Sequence, residues 1–281
     1  MTFSVGSLAQ HAVMGVLNVT PDSFSDGGQF LDLVAATAHG RQLVLAGAAI
    51  VDIGGESSRP GAVPVPLDEE LARVVPVVTA MANEPVVLSV DTTKASVAAA
   101  ALDAGALIIN DISAATLDTA MLDVIADRNA GVILMHMQGT PLTMQDEPHY
   151  DDVVREVISY LNARVAAAVT AGVRADAIMA DPGIGFGKTF EHNLALLGAL
   201  DQIVASVDAP VVIGASRKGF LGAILGGAPA DQRDAATLAT TVHAFILGAS
   251  VVRVHDVAAS VSAARVLDAI ASGVHFRGVL T

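Results

Sequence analysis

Eight short apolar runs, separated by Ala-rich stretches long enough for helices, constrain the fold of this chain most. The runs are rich in β-branched residues and almost continuously apolar, which is typical of parallel strands buried on both faces. They lie at residues 13–17, 49–53, 86–90, 107–109, 131–135, 177–180, 210–213 and 251–254. Strands of this kind alternating with helices predict an α/β protein built on a parallel sheet.

Glycines and capping residues mark where the helices between these strands begin and end. Gly47, Gly105, Gly172 and Gly248 each stand between a helical stretch and the next apolar run. A glycine just past a helix adopts the left-handed conformation that other residues resist, so these positions predict helix ends. The predicted N-caps are Asp68, Thr92 or Thr93, and Ser216.

Eight strand–helix units in a chain of this length allow a closed barrel or a doubly wound open sheet, and the glycine pattern favours the barrel. A chain of 281 residues is about the size of one (β/α)₈ barrel. A doubly wound open sheet would place a GxGxxG sequence after its first strand, and none occurs there. No Ser/Pro-rich linker divides the chain. We therefore expect one domain over residues 1–281, folded as a TIM-type (β/α)₈ barrel, with the open sheet as the alternative.

The composition argues against nucleic acid and membranes as partners and gives no sign of an oxidising compartment. Lys and Arg number 15 against 29 Asp and Glu, and this net charge of −14 repels nucleic acid and anionic lipid. The absence of cysteine excludes disulfides and thiolate metal sites. The longest charge-free stretch, residues 235–252, is partly polar and short for a membrane span, and no targeting segment stands at the start. We expect a cytoplasmic protein that binds neither nucleic acid nor membrane.

Polar side chains end or follow the predicted strands, and one, Asp52, lies within the second strand. They are Asn18; Asp52, Glu56 and Arg59; Asp91; Asn110 and Asp111; His136; Asp181; Ser216, Arg217 and Lys218; and Arg253, His255 and Asp256. In a (β/α)₈ barrel the carboxyl ends of the strands converge on one mouth, where the active site lies. A single Asp or Asn after a strand is often a helix cap or a turn former. Together, however, these residues predict an active site.

The charges in this set predict two subsites on opposite sides of the mouth. Lys218 lies in the first turn of a helix that Ser216 opens, and Arg253 and His255 alternate along the last strand, which predicts a phosphate site. The second subsite, suited to a flat heterocycle rich in N–H donors, consists of Asp91, Asn110 and Asp181. The alternatives are a solvated basic loop for the first and carboxylates bonded to backbone N–H groups for the second.

Two polar loops bracketed by glycine follow the first two strands, at residues 18–28 and 54–62. Both are longer than a minimal turn, so we expect mobile loops that close on substrate. The first loop carries Asn18 and Asp26, whose oxygens we predict to share Mg²⁺ with a diphosphate. Another glycine-rich segment, residues 183–189, is one residue short of a P-loop, so we expect no ATP binding there.

A series of motifs carries a resemblance to a known family. They are NVTPDSFSDGG (18–28), DIGGESSRPGA (52–62), SVDT (89–92), INDIS (109–113), LMHMQGTP (134–141), DPGIGFGK (181–188), GASRKGFLG (214–222), RDAATLA (233–239) and RVHDV (253–257). In this order, over nearly the whole chain, they resemble the dihydropteroate synthases. The resemblance implies a (β/α)₈ barrel, usually a homodimer and a sulfonamide target, acting in folate biosynthesis. It implies a transferase that condenses (7,8-dihydropterin-6-yl)methyl diphosphate with 4-aminobenzoate to give 7,8-dihydropteroate and diphosphate.

The resemblance also implies roles for individual residues. Those that would hold the pterin ring are Asp91, Asn110, Asp181 and Lys218. Those that would contact the diphosphate, with Mg²⁺ held by Asn18 and Asp26, are Arg253 and His255. Those that would shape the 4-aminobenzoate pocket are Ser58, Arg59, Pro60, Phe186 and Ser216. Those expected to be catalytic are Asp91, Lys218 and Arg253.

Two alternatives would share the pterin site. A pterin-binding methyltransferase barrel has no use for a diphosphate site or for the first loop, and both features are present. A non-catalytic pterin-binding paralogue is favoured by loss of Asn18, Lys218 or the second loop, and none is lost. One departure from the family pattern is Ala114-Ala115, where glycines are common.

Overall fold

The computed structural model describes residues 2–20 and 28–273, with side chains from residue 33 onward in the first helix. Within this part, eight parallel strands form one sheet. They are β1 (Ala12–Asn18), β2 (Ile50–Gly54), β3 (Val87–Asp91), β4 (Ile108–Asp111), β5 (Gly131–Met135), β6 (Ile178–Asp181), β7 (Val212–Ile213) and β8 (Val251–Val254). The order is β6-β5-β4-β3-β2-β1-β8-β7, and a parallel bridge between Ala180 and Val211 joins the two ends. The sheet is a nearly closed barrel, so the predicted (β/α)₈ TIM barrel is confirmed and the open-sheet alternative is wrong.

Helices surround the barrel and connect consecutive strands. In the described part they are α1 (Gly28–Leu45), α2 (Leu67–Met81), α3 (Ala95–Ala104), α4 (Met121–Asp127), α5 (Val153–Thr170), α6 (Phe190–Gly198), α7 (Leu200–Ser206), α8 (Gly219–Ile224), α9 (Asp234–Ile246) and α10 (Val257–Ser272). The connection from β6 to β7 holds both α6 and α7. Among the described helices, none combines the length and apolarity needed to cross a membrane.

The strand register brings polar side chains side by side at the carboxyl end of the barrel. Asn18 pairs with Gly54, Gly54 with Asp91, and Asp91 with Asn110, so a row of residues crosses β1 to β4. These residues belong to the strands, whereas the apolar runs predicted strands that stopped one or two residues earlier. A polar residue at the end of a strand still forms ladder hydrogen bonds, and apolarity alone does not reveal them.

The predicted helix ends are confirmed, and the predicted N-cap residues are wrong. Gly47, Gly105, Gly172 and Gly248 all have positive φ, at 96°, 119°, 98° and 94°. By contrast, the residues at the N-caps of α2, α3 and α8 are Pro66, Lys94 and Lys218, with no side-chain cap hydrogen bond. Lys218 therefore precedes its helix and does not lie in a first turn opened by Ser216.

The core has an inner and an outer layer. Alternate strand residues, including Met14, Ile50, Ile133 and Met179, fill the interior of the barrel, while the others face the helices. Phe3 belongs to the inner layer and is 2% exposed. Phe3 lies over the start of β5, because a Cβ on Gly131 would stand 2.4 Å from its Cδ1. The segment before β1 thus closes the amino-terminal end of the barrel.

We predict that Phe3→Ala lowers the free energy of unfolding by about 3–5 kcal/mol, because it opens a cavity at the base of the inner core. Urea denaturation at neutral pH measures this loss. Phe190→Ala is the matched control, since Phe190 is 39% exposed and should cost much less. Equal losses for the two variants would contradict the role given to Phe3.

Candidate active site

One cleft at the mouth of the barrel collects most of the predicted site residues. Its lining consists of Ser58, Asp91, Asn110, Ile112, Met135, Asp181, Gly183, Ile184, Phe186, Gly214, Lys218 and Arg253. Seven of these residues were predicted from the sequence, and they come from six different strands or the loops that follow them. Ile112 and Met135 add apolar surface to a cleft that is otherwise rich in charge. The barrel thus brings together residues that are far apart in the chain.

Arg253 is the centre of the charged network. Its Nε donates to Asp52 Oδ2 at 2.7 Å, and its Nη2 donates to Asp91 Oδ2 at 3.0 Å. Asn110 Nδ2 donates to the same Asp52 oxygen at 3.1 Å. The prediction that cations and carboxylates occupy opposite sides of the mouth is therefore wrong for Arg253. Its strand, β8, lies next to β1, and the Arg253 side chain reaches the carboxylates of β2 and β3.

Asp52 was noted in the sequence as a polar residue within a strand, but it was given no role in the site. Its side chain is fully buried, and within the described residues its Oδ1 has no hydrogen-bond partner. A carboxylate in a buried apolar strand is costly unless it is paired, which is a signal of function. The sequence could not show whether the side chain faced the mouth or the helices.

The Asp91 carboxyl group is a weaker acid than an ordinary aspartate. Burial raises its pKa to about 7, and the charges of Asp52, Asp111 and Glu70 act in the same direction, while Arg253 opposes them. The carboxyl group is therefore poised between its neutral and ionised forms near neutral pH. A positive charge on a ligand beside Asp91 would favour the ionised form.

Asp181 faces the cleft from β6. Its Oδ1 accepts a hydrogen bond from the backbone N–H of Gly183 at 2.6 Å, and its Oδ2 lies near Gly214. Burial raises the pKa of Asp181, with the Gly183 hydrogen bond and Lys218 opposing the shift. The carboxyl group thus has one oxygen fixed by the backbone and one beside the cleft.

Lys218 lies on the same side of the cleft as Asp181. Its Nζ donates to the Ile184 carbonyl at 2.5 Å and stands 3.9 Å from the centre of the Phe186 ring, a cation–π contact. Burial lowers the pKa of Lys218 to about 7; Asp181 opposes the shift and Arg253 adds to it. The lysine is therefore a hydrogen-bond donor whose charge responds to what binds beside it.

His255 and Ser216 form a pair at the edge of the cleft. Ser216 Oγ lies 2.9 Å from His255 Nδ1 and accepts the backbone N–H of His255 at 3.2 Å. Burial lowers the pKa of His255 to about 4, helped by the charges of Arg253, Arg217 and Arg59. In the free protein His255 is therefore neutral at pH 7 and can form hydrogen bonds at the edge of the cleft.

Some of the predicted residues lie outside the cleft lining. Arg59 and Pro60 are exposed at the tip of the loop after β2, although the Arg59 charge reaches His255. Asn18 lies at the end of β1, and Asp26 falls outside the described residues. Arg217, one of the polar residues after strand seven, pairs with Asp234 of α9 at 2.6 and 2.8 Å instead of joining the cleft.

Lys188 and His136 form a buried cluster behind the cleft. His136 was among the polar residues noted after the predicted strands, but sequence reasoning missed Lys188 and its contact with His136. Lys188 Nζ lies 3.0 Å from His136 Nδ1 and donates to the Phe186 carbonyl at 2.9 Å. Burial lowers the pKa of Lys188 to about 7 and that of His136 to about 3. The cluster ties the loop after β6 to the end of β5, and so fixes the loop that carries Phe186. In the sequence, Lys188 belonged to the segment set aside as an incomplete P-loop.

The turn after β4 contains Ala114 and Ala115, which stand where glycines are common in the family pattern. Ala114 and Ala115 have φ angles of 52° and 57°, in the left-handed region that favours glycine. Arg164 Nε donates to the Ala114 carbonyl at 2.8 Å, and Asp111 accepts from the N–H groups of Ser113 and Ala115 at 2.7 and 3.0 Å. These hydrogen bonds hold two alanines in a conformation that costs free energy.

Comparison with known proteins identifies the family. The family described as "Pterin binding enzyme" matches residues 14–255. The dihydropteroate synthase of Mycobacterium leprae is 49% identical over 269 residues, which cover 94% of each chain. The chain belongs to the dihydropteroate synthase family. Members of this family are transferases of folate synthesis, and the Escherichia coli synthase is 45% identical over 94% of this chain and 93% of its own length.

Solved dihydropteroate synthases share the fold of this chain. The Xanthomonas albilineans synthase with 4-aminobenzoic acid has a TM-score of 0.87 and 46% identity, and the match covers 94% of each chain. The Burkholderia cenocepacia synthase complexed with 7,8-dihydropteroate has a TM-score of 0.84 and 46% identity, over 93% of this chain and 92% of that one. Structures similar to this one thus include a complex with 4-aminobenzoic acid and a complex with 7,8-dihydropteroate.

We predict that the contribution of Lys218 to stability depends on pH. Its pKa falls from 10.5 to about 7 on folding, so between these values the unfolded chain binds more protons than the folded one. The contribution is therefore full above about pH 10.5, declines as the pH falls from about 10.5 to 7, and is lost below about pH 7. The free energy of unfolding of the wild type minus that of Lys218→Met should decline from about pH 10 to 7 and level off below.

Urea denaturation of both proteins at several pH values measures this difference. Arg41→Met is the control, because it also removes a cation, but one that pairs with Glu84 at the surface. A wild-type minus Lys218→Met difference that stays constant from about pH 7 to 10 would show that the lysine has an ordinary pKa.

Proposed function

We propose that the cleft at the barrel mouth is where this chain carries out dihydropteroate synthesis. In this reaction (7,8-dihydropterin-6-yl)methyl diphosphate condenses with 4-aminobenzoate to give 7,8-dihydropteroate and diphosphate. The observation that carries the proposal is the meeting of Asp91, Asn110, Asp181, Lys218 and Arg253 in one cleft. Membership of the dihydropteroate synthase family supports it.

The pterin ring would bind between the acceptors and Lys218. A pterin presents adjacent N–H donors along one edge, and the carboxyl of Asp181 and the amide oxygen of Asn110 are acceptors of the kind that edge requires. Lys218 would donate to the ring carbonyl or a ring nitrogen, while Ile112 and Met135 supply apolar surface. The similar synthase solved with 7,8-dihydropteroate supports a pterin-containing ligand.

The diphosphate would lie towards β8. Arg253 and the neutral His255–Ser216 pair are the donors at that side of the mouth. Mg²⁺ commonly takes one or two protein oxygens and completes its shell with phosphate and water. Within residues 2–20 and 28–273, no three His, Asp or Glu side chains lie close enough together to hold a metal ion. Asn18, whose Oδ1 lies over Gly54, fits such an ion, with Asp26 as the second proposed ligand.

Loss of the diphosphate would begin the reaction. The bond between the pterin methylene carbon and the bridging oxygen breaks, and both electrons leave with the diphosphate. Bound Mg²⁺ would neutralise part of the charge on this leaving group. The Asp91 carboxylate would stabilise the positive charge left on the pterin methylene, because the two charges meet in a desolvated cleft. The arylamine nitrogen then bonds to that carbon and releases its proton to solvent.

The 4-aminobenzoate would enter beside Phe186 and the loop after β2. Ser58 and Phe186 line the cleft, Ser216 adjoins it, and Arg59 and Pro60 stand above it on the exposed loop tip. The Xanthomonas albilineans synthase solved with 4-aminobenzoic acid supports this class of second substrate. A Yersinia pestis synthase that is 42% identical was solved with a sulfonamide drug, so we propose that sulfonamides compete at this pocket.

We also propose that the chain acts as one cytoplasmic domain and as a homodimer. The acidic, cysteine-free composition supports the compartment. Large apolar side chains are exposed on two helices that pack against each other: Ile246 of α9 at 66%, and Val266 and Ile270 of α10 at 59% and 71%. A second copy of the chain covering this surface would remove it from water.

We predict that the purified chain, incubated with the pterin diphosphate, 4-aminobenzoate and Mg²⁺, forms dihydropteroate detectable by mass spectrometry. Chelation of Mg²⁺ should slow product formation strongly.

Asp181→Asn should bind a pterin analogue about a hundredfold more weakly, since it replaces a charged acceptor pair by one acceptor and one donor. Asn can still accept the Gly183 N–H, so the fold should survive. Product formation by Asp181→Asn at the wild-type rate would contradict the assignment.

A further inference from the structure

A second charged network lies behind the cleft, at the base of the loop between β2 and α2. We call residues 55–66 loop 2. Lys94, at the N-cap of α3, donates from Nζ to Glu56 Oε2 at 2.5 Å and also to Glu70 Oε2. Glu56 Oε2 accepts the backbone N–H of Val65 at 2.8 Å as well. The Glu56 carboxylate therefore joins the first residues of loop 2 to its last ones and ties both to α3.

The burial of this network makes its pairing necessary. The side chain of Glu70 is 1% exposed, and within the described residues its Oε1 has no hydrogen-bond partner. Burial alone would lower the pKa of Lys94, but its hydrogen bonds with Glu56 and Glu70 raise the pKa above its usual value. Lys94 is thus held as a cation between two carboxylates. A buried carboxylate that loses such a partner is strongly destabilising.

Further contacts press the start of loop 2 against α2. Arg73 Nη1 donates to the Gly55 carbonyl at 2.8 Å and its Nη2 pairs with Glu69. A Cβ on Gly55 would stand 2.7 Å from Val74 Cγ2, so the backbone lies directly on the helix. At the other side of the loop, the Gly61 N–H donates to the Pro141 carbonyl at 2.9 Å. Loop 2 is therefore held at its base and at its tip, with Ser58 between them.

We propose that Glu56, Lys94 and Glu70 are positioning residues that hold loop 2 in the conformation in which Ser58 lines the cleft. None of the three lines the cleft itself, so they act through the loop. The inference rests on the proposed function, in which loop 2 shapes the 4-aminobenzoate pocket. The proposed pterin contacts come from β3, β4, β6 and the segment after β7, and none of them lies on loop 2. Disturbing the network should therefore weaken use of the arylamine and spare the pterin diphosphate.

Glu56→Ala tests this directly, because it releases the loop while the Lys94–Glu70 pair stays intact. We expect KM for 4-aminobenzoate to rise about tenfold or more, as fits the loss of the hydrogen bonds that the Glu56 carboxylate accepts from Lys94 and Val65. KM for the pterin diphosphate should change less than about twofold, which is within ordinary variation between neutral variants. Glu56→Gln should recover most of the loss, since its amide oxygen can still accept the Val65 N–H. Hydrogen exchange at residues 55–66 should become faster in Glu56→Ala and not elsewhere.

Glu84→Ala is the matched control. Glu84 pairs with Arg41 at 2.7 Å and its side chain is 25% exposed, against 22% for Glu56. It should change neither KM nor exchange in loop 2. Equal rises in both KM values for Glu56→Ala, or an unchanged KM for 4-aminobenzoate, would overturn the inference. If the wild type itself formed no dihydropteroate, the proposed function would fail instead, and exchange in loop 2 would still decide whether Glu56 holds the loop.

Discussion

The pairing of Arg253 with Asp52 and Asp91 sets the arrangement of the whole barrel mouth. One guanidinium on β8 reaches carboxylates on β2 and β3, and Asn110 on β4 joins through the same Asp52 oxygen. Taking these charges out of water is costly, and the attraction between them offsets that cost only when the geometry is good. Because Arg253 is held from two sides, its position is set before any ligand arrives. A preorganised cation of this kind is what a diphosphate leaving group requires.

The same burial that makes the site costly also tunes its acids and bases. Burial raises the pKa of Asp91 and lowers that of Lys218, and both come to about 7. In each case the free protein disfavours the charged form, and a ligand of complementary charge or hydrogen bonding would restore it. Lys188, at about 7, and His136, at about 3, extend this behaviour behind the cleft. Burying these ionisable groups costs folding stability, and the charge of Asp91 and Lys218 would respond to a bound ligand.

Apolar periodicity was enough to predict eight strands, because buried parallel strands leave a continuous apolar signal. The absence of GxGxxG after the first strand then favoured the barrel. The polar residues at the strand ends were also visible, and five of them, Asp91, Asn110, Asp181, Lys218 and Arg253, line the cleft. The predictions that failed concern contacts between residues that are far apart in the chain. Ser216 was expected to cap a helix, but its hydroxyl pairs with His255, which is 39 residues away in the chain. Arg253 was placed away from Asp91, yet the barrel brings together two residues separated by 162 positions. Asp52 was seen but not used, since a strand sequence does not show which face meets the mouth.

We infer from the Asp52–Arg253 pair that Asp52 acts by orienting Arg253, and a double-mutant cycle on binding of the pterin diphosphate tests this most directly. Asp52→Asn and Arg253→Gln should each weaken binding by about tenfold or more, as expected for charge-assisted contacts. If Asp52 works through Arg253, the double variant should bind about as well as Arg253→Gln alone, so the two effects overlap. Losses that multiply in the double variant would show that the two residues act independently and would contradict the account.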